Sequence, residues 1–136
     1  MNRPQILIDT DAIIALTVET DSNHKKAIRI QKKLGNKKTD IKVINLVLHE
    51  VITVLSYKIS QKEAIKFLNR IRENPPKVIF IDEKLEELAY WEFLNQNKKG
   101  TSFIDCANMT VMKNFNITKI FSFDKIYKRN GFELIK

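Results

Sequence analysis

Four acidic residues interrupt apolar runs in this chain: Asp9 after ILI, Glu50 inside INLVLHEVITVL, Asp105 inside SFIDCANM and Asp124 after KIFSF. Carboxylates belong at the surface, and a buried one must be paired or hold a cation. Four of them at strand ends and on helix faces predict one acidic pocket. Such a pocket suits a hard divalent ion, Mg2+ or Mn2+, whose ligands are oxygens. Clustered without a cation, the same groups would repel one another.

Each acid also has a purely structural reading. Asp9, or Asp11 in its place, can cap the helix that follows. Glu50 shares a helix face with Leu46, Val47, Thr53 and Val54, and could be paired with a buried lysine. Ser102-Phe-Ile-Asp105 has capping-box spacing, which puts Asp105 in a first helical turn; an anion is favoured there and can still face a metal. Asp124 can cap the turn KIYKR, while Ser122 could orient a carboxylate or a metal-bound water. HEVIT lacks the second histidine of a zinc-protease helix, since Thr53 stands there. His24 and His49 have no partner at ligand spacing, so each is expected to be structural.

The positioning elements follow from periodicity. Strands are expected at 5–9, 41–44, 77–81, 118–121 and 133–135. Helices are expected at 11–18, 22–34, 46–58, 60–73, 83–97 and 102–115. Gly35 and Asn36 should stop the second helix, Ser60 and Glu63 should form a capping box, and Lys99-Gly100 should close the fifth helix. The 46–58 helix is almost wholly apolar and should be central. In the 83–97 helix, Leu85, Leu88 and Ala89 form one apolar face and Tyr90, Trp91 and Leu94 another. The second face is either covered within the monomer or free for a partner. Strands alternating with helices predict a parallel sheet covered on both faces, with sites outside the carboxyl ends of the strands.

At 136 residues the chain is read as one domain over 1–136. Its net charge of +8 favours a polyanionic partner, nucleic acid ahead of an anionic membrane, unless the lysines serve solubility alone. Lys125, Lys128 and Arg129 lie close in sequence to Asp124 and are the best-placed RNA contacts. Lys25, Lys26, Arg29, Lys32, Lys33, Lys37 and Lys38 form a second basic group, which a solvated helix face would equally explain. No run approaches the ~18 apolar residues of a membrane span, and the N-terminal segment has no signal-like core. A cytoplasmic location is expected, consistent with a single cysteine, Cys106, read as buried and inert.

In their order and context, ILIDTDAIIAL, LVLHEVITVL, SFIDCANMTVMK and IFSFDKIYKRNGFELI resemble the PIN domain, a family of metal-dependent ribonucleases. The resemblance covers nearly the whole chain, and the length fits the VapC toxin branch of VapBC toxin–antitoxin pairs. It implies a three-layer α/β/α sandwich around a mainly parallel sheet of four to five strands. It also implies an acidic Mg2+ or Mn2+ site of Asp9, Glu50, Asp105 and Asp124, with Ser122 as the hydroxyl residue before the last acid. RNA would be cut to leave a 5′-phosphate, and a homodimer and a small antitoxin are the implied partners. Asp11 stands where many relatives carry another polar residue, which leaves its place in the metal shell open. Rival readings are a PIN-like RNA-binding module without cleavage, a haloacid dehalogenase phosphatase suggested by Asp9-Thr-Asp11, and a receiver domain with Asp82 as phosphoacceptor.

Overall fold

The computed structural model describes residues 3–136. The elements are β1 (Gln5–Ile8), α1 (Thr10–Thr17), α2 (His24–Asn36), β2 (Asp40–Ile44), α3 (Asn45–Lys58), α4 (Gln61–Glu73) and β3 (Lys77–Ile79). They continue with α5 (Glu83–Leu94), α6 (Phe103–Asn114), β4 (Lys119–Phe121), α7 (Ile126–Arg129) and β5 (Glu133–Leu134). The strands form one parallel sheet in the order β3-β2-β1-β4-β5. Helices α1 to α4 pack as one group and α5 to α7 as another, giving the α/β/α layering expected.

Strand β1 is central because it is buried on both sides: Ile6, Leu7 and Ile8 are all in the core. Leu7 lies opposite Lys42 on β2 and Ile120 on β4, and Ile8 opposite Phe121. The chain builds outward from β1 through β2 and β3, then returns to the other side of β1 for β4 and β5. That reversal opens a crevice at the carboxyl ends of β1 and β4. A receiver domain orders its strands differently, and Asp82 here caps α5, accepting from the Leu85 N–H at 2.9 Å.

Several local expectations are corrected. Helix α2 runs through Gly35 and Asn36, because glycine only lowers helix preference and does not forbid the helix. The chain turns instead at Lys38, whose φ of 52° is left-handed, with the Thr39 N–H returning to the Leu34 carbonyl at 3.0 Å. Ser60 does accept from the Glu63 N–H at 3.1 Å, but the Glu63 side chain lies 3.5 Å from Lys66, so only half of the capping box forms. Strand β3 stops at Ile79 because the Ile81 N–H bonds the Asn45 side chain at 2.8 Å instead of the sheet. Helix α5 ends at Leu94, and Gly100 (φ 91°) serves the loop into α6.

The central helix is α6, not α3. Residues from Asp105 to Met112 are buried without a break, because α6 is covered by neighbours on all sides, α5 above all. Helix α3 buries one stripe, Val47, Val51 and Leu55, at the four-residue spacing of a single face. Its opposite side carries exposed His49, Thr53 and Tyr57.

Ile120 is fully buried in β4, beside β1, and holds the site-bearing strand in the core. Ile120→Ala is expected to lower unfolding free energy by about 2–5 kcal/mol in urea denaturation. Leu94→Ala, at a residue 73% exposed, should change it by less than about 0.5 kcal/mol.

Candidate active site

Asp9 is the first residue past β1. Its N–H still bonds the Phe121 carbonyl of β4 at 3.0 Å, so it stands where the two central strands part. It has extended backbone angles and caps α1, its Oδ1 accepting from the Thr10 N–H at 2.8 Å. Capping uses only part of the group. Oδ1 also accepts from Asn108 Nδ2 at 3.1 Å, and Oδ2 from the hydroxyls of Ser122 at 3.0 Å and Tyr127 at 2.8 Å. Four donors approach a carboxylate that has about four acceptor positions.

Asp105 is also buried. With Ser102 it forms the capping box read from the sequence: its Oδ2 accepts the Ser102 N–H at 3.0 Å, and its own N–H reaches Ser102 Oγ at 3.0 Å. The second oxygen is left for the site, where Oδ1 lies 3.1 Å from the Tyr127 hydroxyl. One phenol thus stands between the first and third acids.

Ser122 was expected to orient a carboxylate or a metal-bound water, and its hydroxyl does contact carboxylates. It is buried just beyond β4, touches Asp9, accepts from the Asp124 N–H at 3.1 Å, and lies 3.2 Å from Asp11 Oδ1. Asp124 departs from the expectation of a buried acid: it is exposed, because it opens the loop into α7. Its Oδ1 accepts the Ile126 N–H at 2.9 Å, so it does help to start that turn. Glu50 is half-buried and makes no ion pair among the described residues, so the lysine-paired alternative is not what holds it.

These acids converge. Asp9, Glu50, Asp105 and Asp124 line one open cleft of about 300 Å³, together with Asp11, Asp21, Thr10, Asn23, Ile14, Val54 and Lys58. Six carboxylates therefore face a single lysine among the described residues. Asp11, left open by sequence, is tied to the loop ahead of Asp124, its Oδ2 accepting the Phe123 N–H at 2.9 Å. Tyr127 and Asn108 were not foreseen. Asn108 could have been, since a lone amide one helical turn after Asp105 in an apolar run must point at something polar.

Burial, then the charges of Asp11 and Asp105, push the Asp9 carboxyl up to about 7, against hydrogen bonds that pull it down. Burial also raises Asp11, and the Tyr127 phenol is held protonated by burial and by the two acids beside it. A raised carboxyl among other carboxylates marks a place where a cation would be welcome, and oxygen donors suit Mg2+ or Mn2+. Among the described residues no three His, Cys, Asp or Glu side chains are gathered closely enough to enclose an ion.

The remaining candidates are placed as follows. Lys125, Lys128 and Arg129 are exposed on and beside α7. Lys26 of α2 stacks 5.5 Å over the Phe123 ring, which brings it to the loop that leads to Lys125. His24 contacts the Ala15 carbonyl at 2.7 Å through Nδ1, a structural role as expected, whereas His49 is simply exposed. Cys106 is fully buried and its thiol is pushed up to about 11 by burial, hence inert. On α5, Leu85 and Ala89 are buried, while Leu88, Tyr90, Trp91 and Leu94 are exposed, with Tyr90 meeting the Phe103 ring at 5.3 Å, so the second apolar face is only partly covered by the described residues. No described helix is long and apolar enough to cross a membrane.

Comparison with known proteins bears on the same span. The family model described as PIN domain matches residues 6–133. Among solved structures, that of Mycobacterium tuberculosis VapC20, a toxin that cleaves the sarcin–ricin loop, superposes with a TM-score of 0.81 at 25% identity. The match covers 93% of this chain and 95% of that one. No curated protein sequence matches this chain.

The raised Asp9 carboxyl sets a pH dependence in EDTA. The folded state keeps a proton that the unfolded chain, near 3.8, has already lost, so stability falls as pH rises from about 4 through about 7. Asp9→Asn removes that charge. In thermal melts its Tm should match or trail wild type at pH 5 and exceed it at pH 8. A wild-type lead that persists or grows at pH 8 would contradict this assignment.

Proposed function

The chain belongs to the PIN domain family, and we propose that it is a metal-dependent endoribonuclease, the toxin of a toxin–antitoxin pair. The observation that carries this reading is the convergence of Asp9, Glu50, Asp105 and Asp124 on one cleft, in a chain of net charge +8. An acidic floor inside a basic molecule suits a polyanion that must be held by the rim and attacked at the floor. The likeness to VapC20, an RNA-loop-cleaving toxin, supports the substrate class and the toxin role.

Asp9 and Asp105 are assigned as the direct ligands of Mg2+ or Mn2+. Both are buried and held by hydrogen bonds, and an ion bound at Asp9 would take the place of one of its four donors. Glu50 and Asp124 come from opposite parts of the chain and complete the cleft as ligands or water-holders, one of them serving as general base. A divalent cation bound there supplies an acidified water as nucleophile and a counter-charge for the phosphate. Ser122 keeps Asp9 oriented and the Asp124 loop close. Lys125, Lys128 and Arg129 contact the RNA backbone, with Lys26 beside them.

Two partners follow as part of the reading: a second copy of the chain and a small antitoxin. The exposed apolar side of α5 supports a partner of some kind. The phosphatase alternative is weakened by Asp11, whose carboxylate is engaged with the Phe123 amide. A cytoplasmic location is proposed, in keeping with the single, buried, free Cys106.

Cleavage of labelled RNA hairpins and single strands in Mg2+, Mn2+ or EDTA tests the reading. Wild type should cut only with metal, and Asp9→Asn and Asp105→Asn should each lose at least about 100-fold. Replacing Lys125, Lys128 and Arg129 by Ala should weaken RNA binding and flatten its salt dependence. Binding without cutting under every metal would favour an inert RNA-binding module.

A further inference from the structure

We propose that Tyr127, held by Asn108, is a positioning residue for the cation site, its phenol setting the spacing of Asp9 and Asp105. The inference rests on the metal-dependent reading above. Tyr127 is fully buried beneath the cleft, on a helix of only four residues. Its hydroxyl lies 2.8 Å from Asp9 Oδ2 and 3.1 Å from Asp105 Oδ1. A phenol has one proton, so it can donate to one carboxylate while its oxygen faces the other lone pair to lone pair. An arrangement of that kind has to be held from outside.

Asn108 supplies the hold. Its Nδ2 donates both to the Tyr127 hydroxyl at 3.0 Å and to Asp9 Oδ1 at 3.1 Å, filling the phenol's acceptor position. Its own Oδ1 is buried with no partner among the described residues. Turning the amide over would aim that oxygen at the carboxylate, so the two donor contacts dictate its orientation. An unsatisfied buried acceptor is destabilising, which core packing alone would not favour. A phenylalanine would pack the same space without bringing a hydroxyl into contact with two acids. Both polar groups are explained if their role is to hold the carboxylates that take the ion. Groups that orient metal ligands in this way typically matter by about 10–100-fold in affinity.

The test is Mn2+ binding at pH 8, read from the electron paramagnetic resonance of free Mn2+, for wild type, Tyr127→Phe and Asn108→Ala, each checked by circular dichroism. Folded Tyr127→Phe should bind Mn2+ about tenfold more weakly. RNA cleavage lost at low Mn2+ should return at high Mn2+, which a purely structural lesion would not allow. Wild-type affinity in Tyr127→Phe would overturn the proposal and leave the metal reading standing. Absence of Mn2+ binding by wild type would overturn both. If Tyr127→Phe does not fold, unchanged affinity in Asn108→Ala overturns the proposal in its place.

Discussion

A carboxylate buried between two strand ends is the constraint around which this molecule is arranged. Asp9 is 5% exposed, and placing a charge there uncompensated would cost several kcal/mol. The fold meets the cost with four hydrogen-bond donors from four separate segments: the start of α1, the middle of α6, the end of β4 and α7. Those contacts span up to 118 residues of sequence, so the site cannot form before the sheet does. The donors lower the carboxyl but do not offset burial and the neighbouring acids, and the group remains raised to about 7.

The same constraint accounts for the topology around the site. Strands β1 and β4 are neighbours in the sheet but remote in sequence, and their ends deliver Asp9 and Ser122 to the same point. Helix α6 contributes Asp105 and Asn108 from one face, a turn apart, among mostly apolar buried neighbours. Helix α3 delivers Glu50 from the opposite group of helices. Charge is distributed in the contrary sense: acids gather in the cleft and the excess of lysine and arginine lies outside it. This separation suits a polyanion gripped at its backbone and approached by an acidic floor.

The fold was largely legible from residue order. Apolar runs of strand length followed by amphipathic helices required a parallel sheet, and each of the five strands lies where it was expected, give or take two residues. The acids were legible because a charge inside an apolar run has few reasons to exist. Their individual environments were not. Sequence cannot say that Asp124 opens an exposed turn while Asp105 is buried beside Tyr127 of α7, since both follow hydrophobic residues. The prominence of α3 was misread because a run of apolar residues reports hydrophobicity all round without saying which faces find neighbours. Tyr127 was hidden for a related reason: an aromatic three residues after Asp124 reads as core filler, and only the sheet brings its hydroxyl between two acids 22 and 118 residues away.

The central claim is that these carboxylates hold a divalent cation. Crystals grown with Mn2+ and measured for anomalous scattering test it most directly. The account predicts a peak in the cleft at bonding distance from Asp9 and Asp105, lost in Asp105→Asn. A saturating Mn2+ concentration that leaves the cleft without a peak would contradict it.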